Sequence, residues 1–196
     1  MRLLLASQSA TRRRMLEAAG VRFEAVTANL DEAEAKAGLV DAGFEARDLA
    51  EMLAEMKARS VAADDALVIG ADQTLELDDG TMLSKPESRA DALAQLRRLS
   101  GGTHFLHSAA VVAEKGERVW GETESVAMVV RDLGEDFLRD YFDREYDAVR
   151  FNVGSYRIEG LGAQLFDEID GSHFAILGLP LLPLLAYLRG RGLLES

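Results

Sequence analysis

Residues 1–14 read MRLLLASQSATRRR, and this stretch decides the architecture. Leu3–Ala6 is a short, unbroken apolar run, the pattern of a strand buried on both faces. It passes into Ser7-Gln8-Ser9, where either serine can cap a helix over Thr11–Ala19 that stops at Gly20. A second strand fits Phe23–Thr27, so the chain opens strand, helix, strand. The alternation continues outward. Leu49, Met52, Leu53 and Met56 recur at helical spacing and predict an amphipathic helix over Glu45–Ser60. Ala66–Ala71 is again continuously apolar and suits a central strand. Thr74–Leu77, the turn Asp78-Asp79-Gly80 and Met82–Leu83 predict a hairpin. Ser88 with Asp91 forms a capping box for a helix carrying Leu93, Leu96 and Leu99, ending at Ser100-Gly101-Gly102.

Two long strands follow, Thr103–Ala113 and Val119–Val130, turning at Lys115-Gly116. Phe137, Leu138, Tyr141 and Phe142 mark one face of a helix starting near Glu135. Gln164–Glu168 reads as a strand and Leu179–Leu188 as a buried helix, the apolar run from Ile176 being broken by Gly178, Pro180 and Pro183. Mixed α/β is therefore the expected class. The long hairpin is expected to form a second lobe, with a cleft where the lobes meet, and its edges could support a homodimer.

The composition narrows the function. The 196 residues are 48% hydrophobic, enough for a real core. Lys and Arg number 22 against 34 Asp and Glu, a net charge of -12 that repels a nucleic-acid backbone. A small anion can still bind where the few cations gather. The absence of cysteine removes disulfides, thiolate metal sites and a cysteine nucleophile. His104 and His107 stand three apart in a strand and should point to opposite faces, which argues against a histidine metal site. The N-terminal apolar run is too short for a secretory core, and its arginines follow it instead of preceding it. No stretch approaches the about 20 apolar residues of a membrane span. A cytoplasmic protein without membrane or nucleic-acid partners is expected.

Chemistry concentrates at a few places. Ser7, Ser9 and Arg12–Arg14 lie where a helix begins, and free backbone N–H groups, hydroxyls and guanidinium groups there suit an anion. A solvated basic face paired with carboxylates explains the same spacing, and both remain open. Asp72 follows Val68-Ile69-Gly70-Ala71, so it is expected at the carboxyl end of a buried strand, the edge where open α/β sheets bind ligands. It can hold a divalent cation or polarise a water, or simply cap a turn. Lys57 lies beside the apolar stripe of its helix, a position where lysines commonly lay their methylenes over the core edge. Lys85, held before Pro86, is a better placed cation. Glu159 sits in the glycine-rich stretch 154–162, which lacks the strand–helix layout of a dinucleotide fingerprint.

Taken in order, these pieces resemble the Maf family of nucleoside triphosphate pyrophosphatases. The resemblance rests on Leu5-Ala6-Ser7-Gln8-Ser9 with Arg12-Arg13, Asp31-Glu32, Lys57-Ala58, Gly70-Ala71-Asp72-Gln73, Lys85-Pro86, Leu99-Ser100-Gly101, Gly154-Ser155-Tyr156 with Glu159-Gly160-Leu161-Gly162, and Gly178-Leu179-Pro180. It spans Leu3 to about Leu188. The resemblance implies one domain over residues 1–196, with an elongated mixed sheet, flanking helices and a cleft between two lobes, similar to inosine triphosphate pyrophosphatases. It implies hydrolysis of a nucleoside triphosphate to the monophosphate and pyrophosphate, aided by Mg²⁺, Mn²⁺ or Co²⁺. Asp72 matches the family's proton acceptor; Ser7, Arg12, Lys57 and Lys85 match substrate contacts; Glu32 and Asp72 match the metal-contacting positions.

Base preference is implied by positions 11, 73 and 159. The branch linked to dTTP and UTP tends to carry Arg, Thr and Gln there. The branch linked to 7-methyl-GTP carries an aromatic, Gln and Glu. Thr11, Gln73 and Glu159 match the second branch at two of three positions, and Thr11 matches neither. A carboxylate at 159 also suits the N1–H and N2–H₂ donors of guanine. The expected substrate is 7-methyl-GTP or another modified nucleotide. Hydrolysis of dTTP or UTP, or nucleotide binding in the regulation of cell division without catalysis, are the alternatives.

Overall fold

A computed structural model describes residues 1–195. In chain order the elements are β1 (Arg2–Ala6), α1 (Ala10–Ala18), β2 (Glu24–Val26), α2 (Glu32–Asp41), α3 (Ala46–Arg59), β3 (Ala66–Leu77), β4 (Met82–Leu83), α4 (Arg89–Leu99), β5 (Thr103–Glu114), β6 (Glu117–Val130), α5 (Glu135–Val149), β7 (Phe166–Asp170), α6 (His173–Ile176) and α7 (Leu181–Gly190). Short 3₁₀ turns occupy Val153–Ser155 and Gly160–Leu165. The seven strands form a mixed sheet in the order β2-β1-β3-β5-β6-β7, with β4 paired to β3. By its contacts the chain divides into two compact units, residues 1–73, 107–125 and 172–195 in the first, and residues 74–106 and 126–171 in the second.

In the first unit, β1 pairs in parallel with both β2 and β3, in the registers Ala6↔Val26 and Ala6↔Gly70. Alternation along β1 sends Leu3 and Leu5 to one face, where Leu67, Ile69 and Ala71 of β3 join Met15 and Leu16 of α1 and the leucines of α7. Leu4, Ala6, Ala66 and Val68 fill the other face. Both faces are apolar because both are covered, and for that reason Leu3–Ala6 and Ala66–Ala71 read as continuous runs. The α3 helix presents Ala50, Ala54 and Ala58 to Ala109, Val111 and Ala113 of β5. Small residues on both sides let the helix lie close to the sheet.

In the second unit, β3 continues into a hairpin with β4, Leu75 opposite Leu83, while β6 pairs antiparallel with β7. Ser88 caps α4 by accepting from the Asp91 amide. The Asp91 carboxylate accepts from the Glu87 amide, not from that of Ser88 as a reciprocal box requires. α5 buries Leu138, Tyr141 and Phe142. His104 is fully buried, with Nε2 2.7 Å from the Tyr156 hydroxyl; in the first unit, His107 Nδ1 lies 2.7 Å from Ser125 Oγ.

Several elements differ from the sequence-based expectation. β3 is one strand of 12 residues, not two separated at Asp72, so Asp72 lies inside it. The α2 helix has no buried residue and therefore no apolar periodicity to reveal it. β7 begins two residues later than expected because Gly160–Leu165 winds into a 3₁₀ turn, and Pro180 takes the N-cap position of α7. Among the described residues no helix is long and apolar enough to cross a membrane.

Candidate active site

The first unit gathers five of the candidate residues around β1 and β3. Ser9 caps α1, accepting from the Arg12 amide at 3.3 Å. Ser7, just beyond the last paired residue of β1, is buried, and its Oγ accepts from the Ser9 amide at 3.3 Å and from Arg12 Nη1 at 3.4 Å. Arg12 is the arginine that turns inward. Its Nε donates to the Gly178 carbonyl at 2.8 Å and its Nη1 to the Ala71 carbonyl at 3.0 Å, which fixes the guanidinium plane. Arg13 and Arg14 are exposed, and Arg14 Nη2 lies 3.4 Å from Thr11 Oγ1. Burial lowers the Arg12 pKa from its ordinary value, opposed by the charges of Asp72 and Glu32. Arginine starts so high that the group stays cationic.

Gly178 explains one motif to which the sequence assigned no role. Its φ is +100°, and a Cβ there would lie 3.1 Å from Arg12 Nε. The glycine therefore leaves room for the guanidinium that its own carbonyl orients.

Lys57 does not simply lie over the core edge. It is buried, with Nζ 2.5 Å from Asp72 Oδ1 and 2.9 Å from Glu32 Oε2. Asp31 caps α2 through the Glu34 amide, and Glu32 is the first helical residue. The acidic pair thus divides its labour: Asp31 starts the helix and Glu32 meets the lysine. Gly70 makes the approach of α3 possible, since a Cβ there would overlap the backbone of Ala54 and Ala58. With alternation along β3, Gly70 and Asp72 share the α3 face.

Gln73 points the other way. Its Nε2 reaches Ser108 Oγ at 2.9 Å and the carbonyls of Ala175 and Ile176 at 3.0 and 3.1 Å, while Ser108 Oγ donates to the Ala175 carbonyl at 2.6 Å. Ser108 and α6 were not singled out in the sequence; four residues of helix carry no periodic signal. Lys85 and Glu159 belong to the second unit, both exposed, Lys85 following β4 and Glu159 at the N-cap of the second 3₁₀ turn. Thr11 is half-buried on the first turn of α1.

Among the described residues no three His, Asp or Glu side chains gather as a ready metal site. Two carboxylates, Asp72 and Glu32, nevertheless converge on one cationic atom, Lys57 Nζ. Hard oxygen donors of this kind fit a divalent cation that completes its shell with waters and phosphate oxygens. Two cavities of about 480 and 410 Å³ lie elsewhere in the first unit, lined by Arg22, Leu185 and Arg189 and by Leu30, Met52 and Met56, and hold none of these residues.

Residues 2–191 match the model of the family described as Maf-like protein. A nucleoside triphosphate pyrophosphatase of Sphingopyxis alaskensis is 46% identical over 195 residues, covering 98% of each chain. A 7-methyl-GTP pyrophosphatase of Brucella abortus is 44% identical over 190 residues, covering 96% of this chain and 95% of its own. Among solved structures, a HAM1 protein from Coxiella burnetii is 12% identical with a TM-score of 0.41, over 66% of this chain and 73% of its own.

Proposed function

Because this chain belongs to the Maf family, it is a hydrolase of nucleoside triphosphate anhydride bonds, and we propose that its substrate is 7-methyl-GTP or a related modified guanine nucleotide. The observation that carries the chemistry is Lys57 held between Asp72 and Glu32, beside an Arg12 fixed by two backbone carbonyls.

Water attacks the α-phosphorus. Its oxygen forms the new bond, the α–β bridging oxygen leaves with pyrophosphate, and Asp72 accepts the proton of the water. A triphosphate carries roughly four negative charges that repel the nucleophile, so fixed cations must offset them. Arg12 and Lys57 supply that charge in the first unit, and Lys85 does so by its match to the family motif. Ser7 orients Arg12 and offers a hydroxyl beside it. Asp72 and Glu32 would hold a divalent cation, Mg²⁺, Mn²⁺ or Co²⁺, which supplies charge neutralisation and acidifies bound water.

Two groups support a guanine. The Glu159 carboxylate suits the N1–H and N2–H₂ edge of that base. Gln73 spends its amide N–H groups on Ser108 and the backbone of α6, which leaves its carbonyl oxygen as the group it can offer a ligand.

A panel of triphosphates, including 7-methyl-GTP, GTP, ITP, dTTP and UTP, read by separate phosphate and pyrophosphate detection, tests the proposal. Pyrophosphate release with 7-methyl-GTP preferred is the expected result. A preference for dTTP or UTP overturns the base assignment alone. Orthophosphate release, or tight nucleotide binding without turnover under all three metals, overturns the reaction.

A further inference from the structure

Gln95 belongs to neither the motifs nor the charged centre, yet it is the polar side chain that α4 buries. It is 8% exposed, and each end of its amide is used within the second unit. Nε2 donates to the Ser84 carbonyl at 3.0 Å and lies 3.4 Å from Asp91 Oδ2. Oε1 accepts from the Gly154 amide at 3.2 Å. Ser84 is the residue before Lys85, and the far side of that turn is held by the same helix, Asp91 Oδ2 accepting from the Glu87 amide at 3.0 Å. Gly154 opens the segment that leads to Glu159. There Gly154 and Ser155 are both left-handed, φ 75° and 59°, a conformation that Ser155 keeps only when its surroundings impose it.

We propose that Gln95 is a positioning residue: one buried amide ties the Lys85 turn to the Gly154–Glu159 segment, so that the contact to the triphosphate and the contact to the base stay in one register. The inference rests on the roles proposed above for Lys85 and Glu159. A glutamine suits the task because it alone carries a donor and an acceptor on one planar group of this length.

The two arms can be cut separately. Gln95→Glu keeps an acceptor for the Gly154 amide and sets a carboxylate against the Ser84 carbonyl; Gln95→Met removes both arms at similar length. Gln95→Met should raise KM for the preferred triphosphate and shrink its preference over the next base, each by about tenfold, the worth of one or two such hydrogen bonds, with kcat within about twofold. Gln95→Glu should raise KM and leave the base preference intact. In a Lys85→Met background, Gln95→Met should raise KM by less than it does in the parent, only by what the lost base contact costs, while still eroding the preference.

Amide exchange gives a readout that needs no turnover. The Gly154 N–H should lose protection in Gln95→Met and keep it in Gln95→Glu. A purely structural glutamine lowers Tm and the active fraction, and with them kcat, but leaves KM and the base ranking untouched; that result overturns the proposal, as does Gly154 protection unchanged in Gln95→Met. If Gln95→Met does not fold, Gln95→Glu decides alone, because unchanged KM there refutes the Ser84 arm. A parent protein that releases no pyrophosphate from any triphosphate defeats the functional reading, an outcome distinct from an active parent insensitive to position 95.

Discussion

Gly70→Ala asks whether the charged centre depends on how closely α3 lies against β3. A methyl group at this position would run into the Ala54 carbonyl oxygen and the Ala58 amide nitrogen, both backbone atoms. Neither can step aside alone, because Ala54 and Ala58 are already fully buried against β5. The helix must move as a body. Over-packing of this kind destabilises by about 1–3 kcal/mol, or roughly 2–12 °C of Tm for a chain of this size. Lys57 rides on the same helical turn and retreats with it. At an effective dielectric of about 20, lengthening the Lys57–Asp72 contact from 2.5 Å by about 1 Å weakens the attraction by roughly 2 kcal/mol. A displacement of that size at a reacting centre lowers turnover about a hundredfold. Thermal denaturation and pyrophosphate release measure the two effects. Gly38→Ala is the control: nothing lies within 4 Å of the added methyl on α2, so activity should persist and stability rise by up to about 1 kcal/mol. A Gly70→Ala protein that melts and turns over like its parent would refute the claim that close approach of α3 sets Lys57 against Asp72.

Asp72→Asn keeps the side-chain shape and leaves Lys57 paired with Glu32 at 2.9 Å, so the fold should hold while kcat falls by about 10²–10⁴; a loss of less than about tenfold would remove Asp72 from proton transfer. His104 makes folding acid-sensitive. Burial pushes its imidazole down to about 4, so between about pH 6.5 and pH 4 the unfolded chain binds a proton that the folded chain does not, and stability falls as pH drops through that window, by up to about 3 kcal/mol. Urea denaturation at about pH 7 and about pH 4.5 should show a smaller acid loss for His104→Gln than for the parent; equal losses would show that His104 does not carry the effect.

Much of the fold was legible because local patterns are self-sufficient. Leu3–Ala6 and Ala66–Ala71 read as buried strands since both faces are covered, and Ser9 and Ser88 cap helices with no help from distant residues. The ordered motifs identified the family. Where a tertiary partner overrides the local pattern, the expectation failed. Asp72 did not end its strand, because Lys57 supplies the charge that keeps it inside β3.

The sequence by itself determined most of the strands and the apolar-faced helices, though not α2 or α6, and the family to which the chain belongs. Only the tertiary structure decided which of them meet. Arg12, not Arg13 or Arg14, turns inward because a carbonyl 166 residues away accepts its Nε–H, and Lys57 leaves the core edge because Asp72, 15 residues on, lies within reach of its ammonium. Periodicity reports the face of an element on which a residue sits, over a few turns or pleats. It carries no information on which other element packs there, and a charge centre is made of such long-range pairings.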